Sequence, residues 1–185
     1  MSENGIILIG PIGAGKSTIG ELLSKRLNMP QCSMDKYRWG YYEEMGYDHE
    51  YAQRLEKDEG FTGVYRYWKG FEIYAVERIL NEHKNSVIDF GAGHSVYENN
   101  VYLDRAKKAL SPFKNVVLLL PSSDKEHSLN VLNKRNNFES EEDINLNKHF
   151  IDHKSNYELA KHIVYTDGSE PEDTALEVLT RLKIR

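Results

Sequence analysis

Residues Gly10–Thr18 read GPIGAGKST and follow directly on the apolar run Ile6-Ile7-Leu8-Ile9. The stretch satisfies G-x-x-x-x-G-K-[ST] in full, at Gly10, Gly15, Lys16 and Ser17. Nothing else in the chain constrains the fold as strongly, because a buried strand must enter this loop and a helix must leave it. Both flanks are present: Ile19, Leu22, Leu23 and Leu27 follow at the spacing of one helical face. Glycines let the backbone wrap a phosphate at close range, since no Cβ blocks the approach or forbids positive φ. Lys16 is then the residue that reaches the β- and γ-phosphates, and the Ser17 hydroxyl the one that ligates Mg²⁺. The helix N-terminus adds unpaired N–H groups and the positive end of its dipole. Gly10, Pro11, Ile12, Gly13, Ala14, Gly15, Lys16, Ser17 and Thr18 are therefore the expected cradle of a nucleoside triphosphate.

A length of 185 residues suits one α/β domain with a well-buried core and is short for two. The net charge of −5 argues against a nucleic-acid surface, which carries a basic excess. No apolar run reaches the length of a membrane span, and Met1–Gly5 does not resemble a signal peptide. One cysteine, Cys32, rules out an internal disulfide and a cysteine-based zinc site, so a cytoplasmic setting is expected.

Pro30 stops the loop helix, and a short second strand is expected to follow, ending in an acidic residue, Asp35, at its carboxyl end. Ligands of open α/β sheets bind beyond the carboxyl ends of the strands, so Asp35 is expected to face the phosphate site. The alternative is that it caps the next helix. Residues 36–74 hold twelve of the chain's twenty aromatics, which marks them as a helical insertion over the acceptor side, broken near Gly60 and Gly63. Most of these rings are expected to form the core of that insertion, and a minority to line a pocket. A helix follows around Ile73–Asn81, and Ser86–Phe90 reads as a strand whose Asp89 is placed to hold a Mg²⁺-bound water. The turn Gly91-Ala92-Gly93 offers a second close backbone approach. Tyr97–Leu110 reads as a helix, Val116–Leu120 as a fully covered core strand, and Asp124–Lys134 as another helix. Residues 136–147 are polar, acidic and weakly periodic, and are expected to be a lid, preceded by Arg135. His149 and His153 lie one helical turn apart but lack the general-base Glu of H-E-x-x-H, so a dedicated metal site is not expected there. His162–Thr166 reads as the fifth strand, and Ser169 with Glu172 as the cap of the last helix. No Asn-Lys-x-Asp guanine reader occurs, which favours ATP over GTP. No linker appears, so residues 1–185 are expected to form one domain.

The order of these elements resembles the shikimate kinases, within the wider group of P-loop small-molecule and nucleoside-monophosphate kinases. The likeness runs over nearly the whole chain: the loop Gly10–Thr18, Asp35 nineteen residues past Lys16, the turn Gly91–Gly93 with Ser95, and the strand–lid–helix order up to Tyr157. It implies an α/β fold, a P-loop NTPase three-layer sandwich with five parallel strands ordered 2-3-1-4-5. It also implies that Asp35 binds acceptor hydroxyls and can take the proton of the attacking one, that the glycine turn contacts the acceptor, and that Arg135 packs near the nucleotide. The family's Mg²⁺-associated Asp, two residues before Asp35, is Ser33 here, and Asp89 is the candidate replacement. The acceptor-binding Arg of an Arg-x-x-Glu pattern has Lys69-x-x-Glu72 as its nearest match. His153 stands where the family's carboxylate-reading Arg precedes Tyr157, and the phosphate-clamping Arg of the lid has no clear counterpart between Asn136 and Asn147.

The sequence thus predicts an ATP–Mg²⁺-dependent kinase acting on a hydroxyl of a small molecule, a monomer or weak homodimer without nucleic-acid or membrane partners. Lys16, Asp35 and Arg135 are its expected catalytic groups, Ser17 and Asp89 its metal residues, and Asp35, Lys69, Gly91, Ala92, Gly93 and His153 its acceptor contacts. The alternatives are a nucleoside or nucleotide kinase, and a non-catalytic ATP-binding regulator.

Overall fold

The first strand, β1 (Glu3–Ile9), is apolar on both faces, and each face meets its own layer of helices. Ile6 and Leu8 pack with Ile19 and Leu23 of α1 (Lys16–Leu27) and with Val178 and Leu179 of α8 (Pro171–Leu182). Ile7 and Ile9 pack on the opposite side with Val76 and Ile79 of α3 (His49–Glu82) and Leu103 of α4 (Asn100–Leu110). Alternation of this kind on a strand covered from both sides is the mark of a parallel α/β sheet. The computed structural model describes residues 3–184, so Met1 and Ser2, part of the stretch weighed as a leader, lie outside the described residues.

The remaining strands are β2 (Gln31–Ser33), β3 (Val87–Asp89), β4 (Phe113–Leu120) and β5 (His162–Tyr165). All pair in parallel, in the order β2-β3-β1-β4-β5, which is the order that the family likeness implies. Asp89 stands level with Leu8 on one side and Ser33 on the other, so three strand ends converge just below the glycine loop. β4 is the core strand expected from its apolar run, with Val116–Leu120 buried throughout. Burying each such side chain is worth roughly 1.5–3 kcal/mol. Among the described residues, no helix is long and apolar enough to cross a membrane.

Several boundaries differ from the sequence reading. β2 ends at Ser33, and Asp35 falls in the first turn of α2 (Met34–Glu44) instead of at a strand end. The aromatic stretch is two long helices, α2 and α3. The second is interrupted at Gly60 (φ 67°, ψ −166°) but not at Gly63, and it runs on through Ile73–Asn81 to Glu82. α4 begins at Asn100, because the Asn99 side chain accepts from Val101 N at 2.8 Å. Residues 136–147 are more ordered than their composition suggested. They comprise the end of α5 (Lys125–Asn136), a short turn and the first half of α6 (Glu141–Asp152). Ser140 caps α6 by accepting from Asp143 N at 3.1 Å, with Glu141, Glu142 and Asp143 filling a favourable acidic first turn. A short α7 (Lys154–Leu159) follows. α8 is entered through Glu170 with Pro171 at its first position, so Ser169 does not cap it.

Candidate active site

A cavity of about 800 Å³ opens at the carboxyl ends of β1 and β3. The loop residues Ile12–Thr18 form one side of it. Asp35, Arg38, Phe61, Tyr65, Trp68 and residues 90–94 form the other, and Arg135 and Phe150 border it from α5 and α6. Phosphate loop and acceptor candidates therefore share one chamber.

The loop is shaped by three glycines at positive φ, Gly10, Gly13 and Gly15. Gly13 is also required by space, since a Cβ there would stand 2.1 Å from Asn136 Nδ2. Lys16 is buried, and its Nζ donates to the carbonyls of Gly10 (2.9 Å) and Pro11 (2.8 Å). The α5–α6 segment grips the same loop from outside. Ile12 N donates to Asn147 Oδ1 at 3.0 Å, and Arg135 Nη1 donates to Gly13 O at 3.0 Å. Asn147 is fully buried, and nothing in its local sequence pattern singles it out.

Burial pushes the Lys16 ammonium down to about 8, with Asp35 and Asp89 pulling it back only in part. Bound phosphates hold that ammonium in its charged form, so nucleotide binding and protonation of Lys16 are linked. Affinity for ATP is accordingly expected to be level near neutral pH and to fall as pH rises through about 8, approaching about tenfold per pH unit. Titration with a fluorescent ATP analogue across that range measures this, and affinity still level well above pH 8 would contradict it.

Beside Lys16 lies a compact oxygen cluster. Ser17 Oγ and Ser33 Oγ both donate to Asp89 Oδ1, at 2.8 and 3.0 Å. Gln31 Nε2 donates to Asp89 Oδ2 at 2.9 Å and to Ser17 O at 3.0 Å, fixing the carboxylate from the edge strand. A hydroxyl and a carboxylate at the phosphate loop are the hard oxygen donors that Mg²⁺ prefers. Ser33 is drawn into the cluster by its register with Asp89, which explains why it does not cap α2. Gln31 carries no motif and was not identified from the sequence.

On the acceptor side, Asp35 lies in the first turn of α2 and lines the cavity. A Cβ on Gly91 would stand 3.0 Å from Asp35 Oδ1 and 2.8 Å from His94 Nδ1, so only glycine lets this turn close in. Gly91, Ala92 and Gly93 all border the chamber and lead into a 3₁₀ turn (Ala92–Ser95). His94, missed in the sequence, is buried, shares a hydrogen bond with Tyr42 Oη at 3.2 Å, and is driven by burial down to about 3. Of the insertion's aromatics, Tyr41, Tyr42 and Phe71 belong to the core, whereas Phe61, Tyr65 and Trp68 line the chamber.

Two sequence candidates do not reach the chamber wall. Lys69 is buried in an ion pair with Glu72 (2.6 Å), donates to the carbonyls of Gly93 (3.2 Å) and Val96 (3.1 Å), and lies over the Tyr65 ring. Its charge is spent on holding the glycine turn. His153 leaves the end of α6 with extended backbone, and its Nδ1 accepts from Ser155 N at 3.2 Å to cap α7. His149 pairs with Glu98 at 2.7 Å, and Tyr65 Oη donates to that same carboxylate. Glu98 thus brings a carboxylate to the two histidines, with possible ligand atoms of all three within 4.8 Å of one another. His149 is engaged with Glu98 and His153 with the α7 cap, so their immediate role is to fasten α6 to the neighbouring loop.

A five-stranded parallel sheet with this loop at the end of its central strand is a P-loop NTPase fold. The sequence model of the shikimate kinase family matches residues 12–183. The chain belongs to that family. A shikimate kinase from Francisella tularensis subsp. holarctica (strain FTNF002-00 / FTA) is 36% identical over 88 residues, 48% of this chain and 44% of that protein. The chain thus matches less than half the length of this curated relative. The shikimate kinase structure from Aquifex aeolicus is 25% identical, with a TM-score of 0.62, covering 97% of this chain and 96% of that one. That of the Acinetobacter baumannii shikimate kinase, in complex with shikimate, has a TM-score of 0.66 at 20% identity, covering 98% and 93%, and bears on the fold alone.

Proposed function

We propose that this protein is an ATP-dependent kinase that transfers the γ-phosphoryl group to a hydroxyl of a small acceptor. The observation that carries the reading is the single chamber that Lys16, Ser17 and Asp35 line together. Lys16, with the loop amides, binds and orients the β- and γ-phosphates and balances charge that builds during transfer. Ser17 and Asp89 are the residues that would hold Mg²⁺, which supplies charge neutralisation at the phosphates. Asp35 orients the acceptor hydroxyl and receives its proton as oxygen bonds to the γ-phosphorus and the bond to the ADP oxygen breaks. Arg135 and the α5–α6 segment act as the lid, already resting on Ile12 and Gly13 in this structure. The buried, unpaired Cys32 suits a reduced, cytoplasmic compartment.

The test is ATP consumption with Mg²⁺ against shikimate, gluconate and other sugar acids, nucleosides and nucleoside monophosphates. With the acceptor so found, Asp35→Asn is expected to leave ATP affinity unchanged and to lower kcat by roughly 10²–10⁴-fold. Transfer at the original rate would remove Asp35 from this role. ATP binding without turnover on any acceptor would make the protein a nucleotide-binding regulator.

A further inference from the structure

Resting on the kinase reading, we propose that Arg38 is the specificity-determining residue of the acceptor site, reading an oxyanion carried by a ring-shaped, hydroxylated acceptor. The sequence likeness offered Lys69 and His153 for that duty, and both are engaged elsewhere. Lys16 and Arg135 line the phosphate side, where they bond the loop carbonyls, and His94, on the acceptor side, is kept neutral by its burial. Arg38 stands one helical turn beyond Asp35 on α2 and lines the same chamber.

Its surroundings are those of an unused binding group. Among the described residues none forms a hydrogen bond with its guanidinium, and its Nε is buried without a partner. Its one ion contact among the described residues, Nη1 to Asp35 Oδ1, is 3.9 Å long, beyond hydrogen-bond reach. A buried donor left empty is costly unless a ligand fills it. The guanidinium is also pre-oriented. Its Cζ lies 4.7 Å from the ring centroid of Trp39 and 6.0 Å from that of Trp68, so aromatic rings hold the cation in place. The donors around its planar rim remain available for a carboxylate or phosphate, which arginine holds with two parallel bonds. Phe61, Tyr65, Trp68 and Phe90 supply flat apolar walls suited to a ring.

The two tryptophans that flank Arg38 are the only ones in the chain, so intrinsic fluorescence reports on this spot. Calorimetric and fluorescence titrations would use shikimate and 3-hydroxybenzoate as carboxylates and phenyl phosphate as a phosphate ester. Methyl shikimate and 3-hydroxybenzamide serve as neutral counterparts. Saturable binding of at least one oxyanion is expected, at least tenfold weaker for its neutral counterpart and at least tenfold weaker in Arg38→Gln. Arg38→Lys should recover only part of it, while both variants keep wild-type affinity for a fluorescent ATP analogue. Whether a carboxylate or the phosphate ester binds names the source of the oxyanion. Equal binding of neutral and charged probes, binding unaltered in Arg38→Gln, or no saturable oxyanion binding would each overturn the proposal. Oxyanion binding through Arg38 without phosphoryl transfer on the acceptor panel would instead overturn the kinase reading and leave the role of Arg38 standing.

Discussion

Lys69→Met is expected to lower folding stability by about 3–5 kcal/mol, because it leaves the buried Glu72 carboxylate without its charge partner. In a domain of this size, that corresponds to a fall in Tm of roughly 10 °C. Lys69 also donates to Gly93 O and Val96 O, so the glycine turn loses its anchor along with the ion pair. The companion variant Lys69→Met/Glu72→Leu removes both charges together. It is expected to recover most of the loss, since apolar side chains of similar volume replace buried ion pairs with little penalty. Thermal unfolding of the wild type and the two variants measures this. A single variant within about 1 kcal/mol of wild type would show that the pair is solvated.

Lys16→Ala is expected to lower turnover by roughly 10³-fold or more while leaving thermal stability close to wild type. The ammonium belongs to the phosphate cradle, and its partners in the free protein are the carbonyls of Gly10 and Pro11. The side chain lines the chamber, so truncating it opens a path for water. Water can take over those carbonyls, so the folded state loses little. The reacting phosphoryl group loses a charge-assisted contact in a poorly solvated chamber, where such contacts are strongest. The separation between stability and turnover is the diagnostic outcome. Turnover near wild type would place phosphoryl transfer elsewhere, and a large drop in Tm would assign Lys16 a structural role.

What the sequence disclosed depended on how local each feature is. The phosphate loop is written in nine consecutive residues, and its backbone conformation follows from glycines at 10, 13 and 15. Strand β4 was equally plain, because one short apolar run is covered on both faces. Asp35 was placed on the right side of the sheet but on the wrong element, since nothing at Met34 signals that a helix starts there. Lys69 and His153 were matched by position along the chain. The Lys69 charge is consumed by Glu72 and the Nδ1 lone pair of His153 by the amide of Ser155, partners that only packing or a tight turn provides. Arg38 had a legible clue, its spacing of one helical turn from Asp35, yet its value lies in two flanking tryptophans, one of them thirty residues further along. The order in residues 136–147 was hidden behind an acidic composition that suits a helix's first turn as well as a loop.

The register of Ser33 against Asp89 has a consequence for how such proteins are recognised. Side chains level on adjacent parallel strands reach nearly the same point above the sheet, and here both oxygens meet at Asp89 Oδ1. A carboxylate can therefore pass from the edge strand to its inner neighbour over evolutionary time, leaving a hydroxyl behind, without moving the point in space that it serves. A lineage that made this exchange would lack the expected acid when aligned position by position, yet retain it in three dimensions. For divergent relatives, the informative unit is the pair of facing strand ends, compared as one site.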